Sequence, residues 1–165
     1  MFKIREGVEE DCIGIEEMIR QLALFENMPK EPKIDRKILM ADGFGEQRLV
    51  RTFVVELEEN KQLIGYSLYY YKFSTYNGKS LYLEDIYVKP NYRHLGVGRA
   101  LLTAVTKEAA DHRCDGMEWS CWHWNHNSIQ FYEKFGAKNY SEDEGWLSFK
   151  LYKQQIESIA KTTGA

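Results

Sequence analysis

The chain has 165 residues, 44% of them hydrophobic. That is enough for one substantial core and too little for two ordinary domains, so a single domain over residues 1–165 is expected. Lys and Arg number 22 against 25 Asp and Glu, a net charge of −3; this balance leaves no electrostatic footprint for phosphate backbones or anionic lipid, and neither nucleic acid nor membrane is expected as a partner.

No apolar run approaches the roughly 20 residues that span a bilayer, and Met1 to Glu10 hold no apolar signal region, so the cytoplasm is the expected compartment. Cys12, Cys114 and Cys121 are odd in number and lack ligand spacing, and read as thiols of a reducing compartment.

A short strand pattern at Phe2–Arg5 precedes Glu9–Asn27, where Ile13, Ile15, Ile19, Leu22 and Leu24 fall at mostly helical spacing. A second short helix is expected over Asp35–Met40, capped by Asp35 and ended by the Gly-rich stretch Asp42-Gly43-Phe44-Gly45. Thr52–Leu57, Leu63–Phe73 and Ser80–Val88 are rich in aliphatic and aromatic residues, with turn chemistry at Glu59-Asn60 and Asn77-Gly78, and make an antiparallel meander. From Gly96 the period changes. Val97, Leu101, Leu102, Val105 and Ala109 mark a helix to about His112, and a strand over Met117–Trp122 follows, a crossover that implies locally parallel pairing. A further helix over Ser128–Phe135 ends at Gly136, and Trp146–Tyr152 reads as a late strand. The expected fold class is α+β. Trp119, Trp122 and Trp124 are read as alternating on one strand face, a core or dimer surface rather than a platform for bases.

The stretch from Tyr82 to Arg99 is a strand running into a glycine-containing turn that opens a helix. Such a junction presents unpaired main-chain N–H groups and the positive end of a helix dipole to an anion. Gly96 and Gly98 let a diphosphate approach the main chain, and Arg93 is placed to add a charge-assisted contact. Arg99-Ala100 follows the second glycine where a P-loop needs Lys-Ser/Thr, and these glycines follow a meander rather than the first strand of a dinucleotide fold. His94, His112, His123 and His126 show no ligand spacing, so no metal is expected.

Arg-x-x-Gly-x-Gly at Arg93–Gly98, with Asn125-His126-Asn127-Ser128-Ile129-Gln130-Phe131-Tyr132 downstream, resembles the paired signatures of the GCN5-related N-acetyltransferase superfamily. The resemblance implies a mixed, mostly antiparallel sheet with splayed central strands and flanking helices, and acetyl-CoA as cosubstrate. Leu22–Glu26, Asp42–Gly45, Tyr82–Asp85, Trp124-Asn125 and Glu144–Trp146 look like the spermidine/spermine N1-acetyltransferases and their thialysine-acetylating relatives.

By that similarity acetyl-CoA would be held by Ile86, Tyr87 and Val88, by the turn Arg93, His94, Leu95, Gly96, Val97, Gly98 and Arg99, and by Asn125, His126, Asn127, Ser128 and Tyr132. The amine side would comprise Phe25, Glu26, Glu84, Asp85, Glu118, Trp119, Ser120, Glu144 and Trp146. A homodimer is implied as well.

An alkyl ammonium with pKa near 10.4 costs roughly 4.6 kcal/mol to deprotonate at pH 7, so a base is needed before its nitrogen attacks a thioester. Glu84 is the candidate base, N–H groups near Ile86 and Tyr87 the candidate oxyanion donors, and Tyr132 the candidate acid toward the leaving thiolate. The expected reaction is direct acetyl transfer in a ternary complex to a primary amine of a small cationic metabolite, a polyamine such as spermidine or spermine. The alternative is thialysine or a related amino acid. A non-catalytic CoA-binding regulatory module is the alternative from another class, and the presence of both Glu84 and Tyr132 argues against it. Against the polyamine pattern, Ser74-Thr75-Tyr76 replaces an Asp-Pro-Trp sequence and Glu118 stands where those enzymes have His; Glu118 is expected to supply the lost charge at another depth.

Overall fold

The computed structural model describes residues 1–30, 32–144 and 148–162. They form two compact units, Met1–Trp122 and the segment from His123 onward. The first holds strand β1 (Phe2–Glu6), helices α1 (Cys12–Phe25) and α2 (Arg36–Phe44), strands β2 (Arg51–Leu57), β3 (Leu63–Ser74) and β4 (Gly78–Val88), helix α3 (Val97–Asp111) and strand β5 (Gly116–Glu118). The second holds helices α4 (His126–Phe135), α5 (Tyr140–Glu144) and α6 (Lys153–Thr162).

The sheet runs in the order β1-β2-β3-β4-β5, antiparallel from β1 to β4, with β5 parallel to β4. It is the expected α+β, mixed and mostly antiparallel architecture. Gly78, at φ +83°, turns β3 into β4 where the Asn-Gly dipeptide predicts it, because only glycine adopts that conformation without strain. Alternation then gives each strand two faces. Tyr66, Leu68, Val54 and Tyr87 pack with Cys12, Ile15 and Met18 of α1 and Leu39 of α2. The other face sets Val55, Leu57 and Ile64 against Val97 and Leu101 of α3.

Asp35 caps α2 as its position predicts, its Oδ1 accepting from the Ile38 N–H at 2.9 Å. That helix nevertheless runs through Gly43 and stops at Gly45. Three expectations are corrected. The strand expected over Met117–Trp122 ends at Glu118, so Trp119, Trp122 and Trp124 share no strand face; Trp119 and Trp122, three residues apart, are also out of phase for a period of two. Of the late strand expected over Trp146–Tyr152, Trp146 and Leu147 lie outside the described residues, and Ser148–Tyr152 form no strand but lead into α6. Helix α4 begins at His126, two residues early, because Asn125 caps it: its Oδ1 accepts from the Ser128 N–H at 3.2 Å.

Candidate active site

The β3–β4 ladder contains one extra residue. Leu68 stands opposite Asp85 and Tyr69 opposite Leu83, which leaves Glu84 without a partner, a β-bulge. The bulge inverts the phase of β4: Leu81 and Leu83 before it, and Ile86 and Val88 after it, take the same face. Asp85 is thereby brought onto the face of Tyr82, beside Glu84 and opposite α1.

The same stretch of β4 has an open outer edge. β5 pairs with Ser80, Leu81 and Tyr82 alone, and from Leu83 onward β4 has no β5 partner, the splay that the resemblance implies. The Lys89 N–H donates to the Ile64 carbonyl at 2.9 Å, so alternation turns the main-chain groups of Tyr87 toward β3 and leaves those of Ile86 and Val88 on the open side. Of the two expected oxyanion donors, Ile86 therefore faces the open edge and Tyr87 does not.

Three carboxyls gather at the bulge. Asp85 accepts from the Tyr66 hydroxyl at 2.8 Å. Burial pushes its carboxyl above the ordinary range, partly offset by that hydrogen bond. Glu84 is solvent-accessible, yet the density of protein around it, and then the charge of Asp85, push its carboxyl up as well. Glu26, the residue after α1, is raised by burial and by Asp85, with a hydrogen bond from the Trp122 indole opposing. Among the described residues none of the three forms an ion pair. Acids held above their usual range, close enough to feel one another and without a cation, are arranged to receive one.

Beyond β4 the chain turns through Gly96, the N-cap of α3, at φ +81°. A Cβ placed there would meet nothing within 4 Å, so the space above the turn is open. The first helical bond runs from the Ala100 N–H to the Gly96 carbonyl at 2.9 Å, leaving the N–H groups of Val97, Gly98 and Arg99 ahead of it. Val97 is buried and anchors the helix start, while His94 and Leu95 are exposed. Open space above a glycine N-cap at the positive end of a helix fits a diphosphate.

Arg93 is also engaged within the protein. Its Nε donates to the Val88 carbonyl at 3.0 Å, and its guanidinium lies 5.4 Å from the Phe25 ring centroid and 5.6 Å from that of Tyr87. The side chain braces the end of α1 against β4, and Phe25, expected on the amine side, is its stacking partner.

Glu118 pairs with the Lys72 ammonium and takes a weaker hydrogen bond from the Ser80 hydroxyl at 3.4 Å. The charge that Glu118 was expected to supply at another depth is thus shared with Lys72. Trp119 is half-buried, and the Ser120 hydroxyl lies 2.9 Å from that of Tyr82. Residues 119–122, freed from the sheet, thus run past Tyr82 to Glu26.

In the second unit Asn125 is engaged as a helix cap, and His126 and Asn127 are exposed. Tyr132 is half-buried with its ring centroid 5.4 Å from that of Phe131. Glu144 is exposed at the end of α5, and Trp146 lies outside the described residues.

Sequence reasoning missed Tyr66, Trp122 and Lys72. No group of three metal-ligating side chains gathers among the described residues, and no helix there is long and apolar enough to cross a membrane.

Comparison with known proteins agrees with this geometry. Residues 16–137 match the acetyltransferase (GNAT) family. The thialysine N-epsilon-acetyltransferase of Mus musculus is 37% identical over 164 residues, 96% of each chain. The spermidine/spermine N(1)-acetyltransferase-like protein 1 of Homo sapiens is 32% identical over 96% of this chain and 24% of its own length. Among solved structures, a probable acetyltransferase superposes with a TM-score of 0.76 at 21% identity, over 91% of this chain and 97% of that one. On the family match and these relatives, the chain belongs to the acetyltransferase (GNAT) family and is an N-acetyltransferase.

Proposed function

We propose that the enzyme transfers an acetyl group from acetyl-CoA to the side-chain amine of a small amino acid of the thialysine type. The observation that carries this reading is the β-bulge at Glu84, which sets three raised carboxyls beside an open strand edge and a glycine-capped helix. Relatives named for thialysine in Mus musculus and Bos taurus match at 37% and 36% identity, above the 32% of the spermidine/spermine-like relative. On that ordering the amino-acid reading takes precedence over the polyamine expectation.

Acetyl-CoA, when bound, supplies a thioester as acetyl donor, with its diphosphate on the N–H groups of Val97, Gly98 and Arg99. Glu84 takes the proton from the substrate ammonium; a carboxyl raised above the ordinary range is the better acceptor, since it narrows the difference between its own pKa and that of an alkyl ammonium. Glu26 and Asp85 draw the cation in without reaching past Glu84. The Ile86 N–H, on the open edge, is the donor for negative charge developing on the acetyl oxygen. Tyr132 delivers the proton that the leaving sulfur needs.

The test is CoA release by the full chain with thialysine, lysine, ornithine, putrescine, spermidine and spermine. The highest kcat/KM is expected for thialysine; a higher value for spermidine or spermine returns the enzyme to the polyamine class.

A further inference from the structure

The face of the sheet that carries Asp85 and Tyr66 continues beyond the cover of α1 and α2. Tyr70 and Lys72 follow along β3, Lys72 stands opposite Ser80, and Tyr70 opposite Tyr82. Glu118 stands opposite Tyr82 from the other side, so all of these occupy one face. The Tyr70 and Tyr82 ring centroids are 5.3 Å apart and form a floor. At its end Lys72 and Glu118 make their ion pair, with side chains 36% and 29% exposed. Glu84 sits two β4 residues from Tyr82, about 7 Å at an ordinary strand rise. Five bonds join the α-carbon of a lysine-like amino acid to its terminal nitrogen, about 6–7 Å when extended. An amine at Glu84 therefore brings the α-carbon to the Lys72–Glu118 pair.

We propose that Lys72 and Glu118 read the α-amino acid end of the substrate, Lys72 binding the α-carboxylate and Glu118 the α-ammonium. The assignment rests on the amino-acid reading above and extends it to named residues. A zwitterion inserts between the paired side chains and leaves every charge with a partner, before binding and after. A diamine or polyamine brings only a second ammonium to this point. It competes with Lys72 for one carboxylate and is repelled by it. The pair thus selects against polyamines, which Glu118 without Lys72 would favour.

The experiment compares thialysine with the diamine it becomes on losing its carboxylate, using the full chain and the variants Lys72→Gln and Glu118→Gln. The unsubstituted enzyme is expected to prefer thialysine by at least about tenfold in kcat/KM. Lys72→Gln should lower kcat/KM for thialysine and raise it for the diamine, collapsing or inverting that preference, while Glu118→Gln lowers both. An unsubstituted enzyme that prefers the diamine overturns the assignment without any variant, and so does a folded Lys72→Gln protein with unchanged preference. Acetylation of neither compound overturns the amino-acid reading itself and this assignment with it.

Discussion

Two sets of acids flanking one sheet meet opposite fates. At the β1–β2 end, Glu56 and Asp11 are nearly buried, and Arg5 bridges them: its Nη atoms reach the two Asp11 oxygens at 2.6 and 2.9 Å, and its Nε and one Nη reach Glu56 at 3.0 and 2.8 Å. Lys3 adds a contact to Glu56 at 3.2 Å. The Arg5 hydrogen bonds hold the Glu56 carboxyl below its usual range, against the desolvation that pulls it up. At the bulge, Glu26, Glu84 and Asp85 have no such cation among the described residues, and all three are raised, burial first.

The two sets carry opposite pH signatures. Glu56 binds its proton less tightly folded than unfolded, so its contribution to stability is present above the unfolded pKa and lost as pH falls through the lower folded value. The bulge acids bind theirs more tightly folded, so their contribution is present below the unfolded pKa and lost as pH rises through the raised values. One set stabilises the sheet, and the other leaves a negative field that a cationic substrate relieves.

Substitutions separate the two. The largest effect is expected from Glu84→Gln, a fall in kcat of about 10²-fold or more near neutral pH, read by CoA release. Tyr132→Phe should lower kcat by about 10²-fold with little change in acetyl-CoA affinity, and an unaltered kcat would remove it from the reaction. Arg5→Leu belongs to the other set: it leaves Asp11 without its ion pair and Glu56 with only its lysine contacts, so it should lower the denaturant midpoint of unfolding and leave kinetics below the transition unchanged. The smallest stability effect is expected for Gly96→Ala. Its φ of +81° costs an alanine about 1 kcal/mol, while the added methyl meets no protein atom within 4 Å and would intrude only on a diphosphate held at the turn. Calorimetry should show weakened acetyl-CoA binding by the folded variant.

Much of this is legible in the sequence. The Asn77-Gly78 turn, the Asp35 cap and the parallel crossover follow from local chemistry, and each is found. The bulge is written in β4 as well, since Leu81 and Leu83 give way to Ile86 and Val88, a shift from odd to even positions across Glu84-Asp85. The Lys72–Glu118 pair had no local trace, because its members lie 46 residues apart and meet only through β4. Nor had the departure of residues 119–122 from β5, where a tryptophan-rich run suits a strand but Trp122 goes to Glu26 instead. Nor does the sequence carry a local trace of the Arg93 guanidinium lying against Phe25 and Tyr87, which packing alone brings about.

The claim that Glu84 works as the base at the bulge is tested most directly by the ratio of kcat/KM between the unsubstituted enzyme and Glu84→Gln, followed from about pH 6.5 to about pH 10 with thialysine. The account predicts a large ratio near neutrality that narrows toward the amine pKa, where solution supplies the free amine and the base is no longer needed. A ratio that stays constant across that range would contradict it and make Glu84 a residue that only positions the substrate.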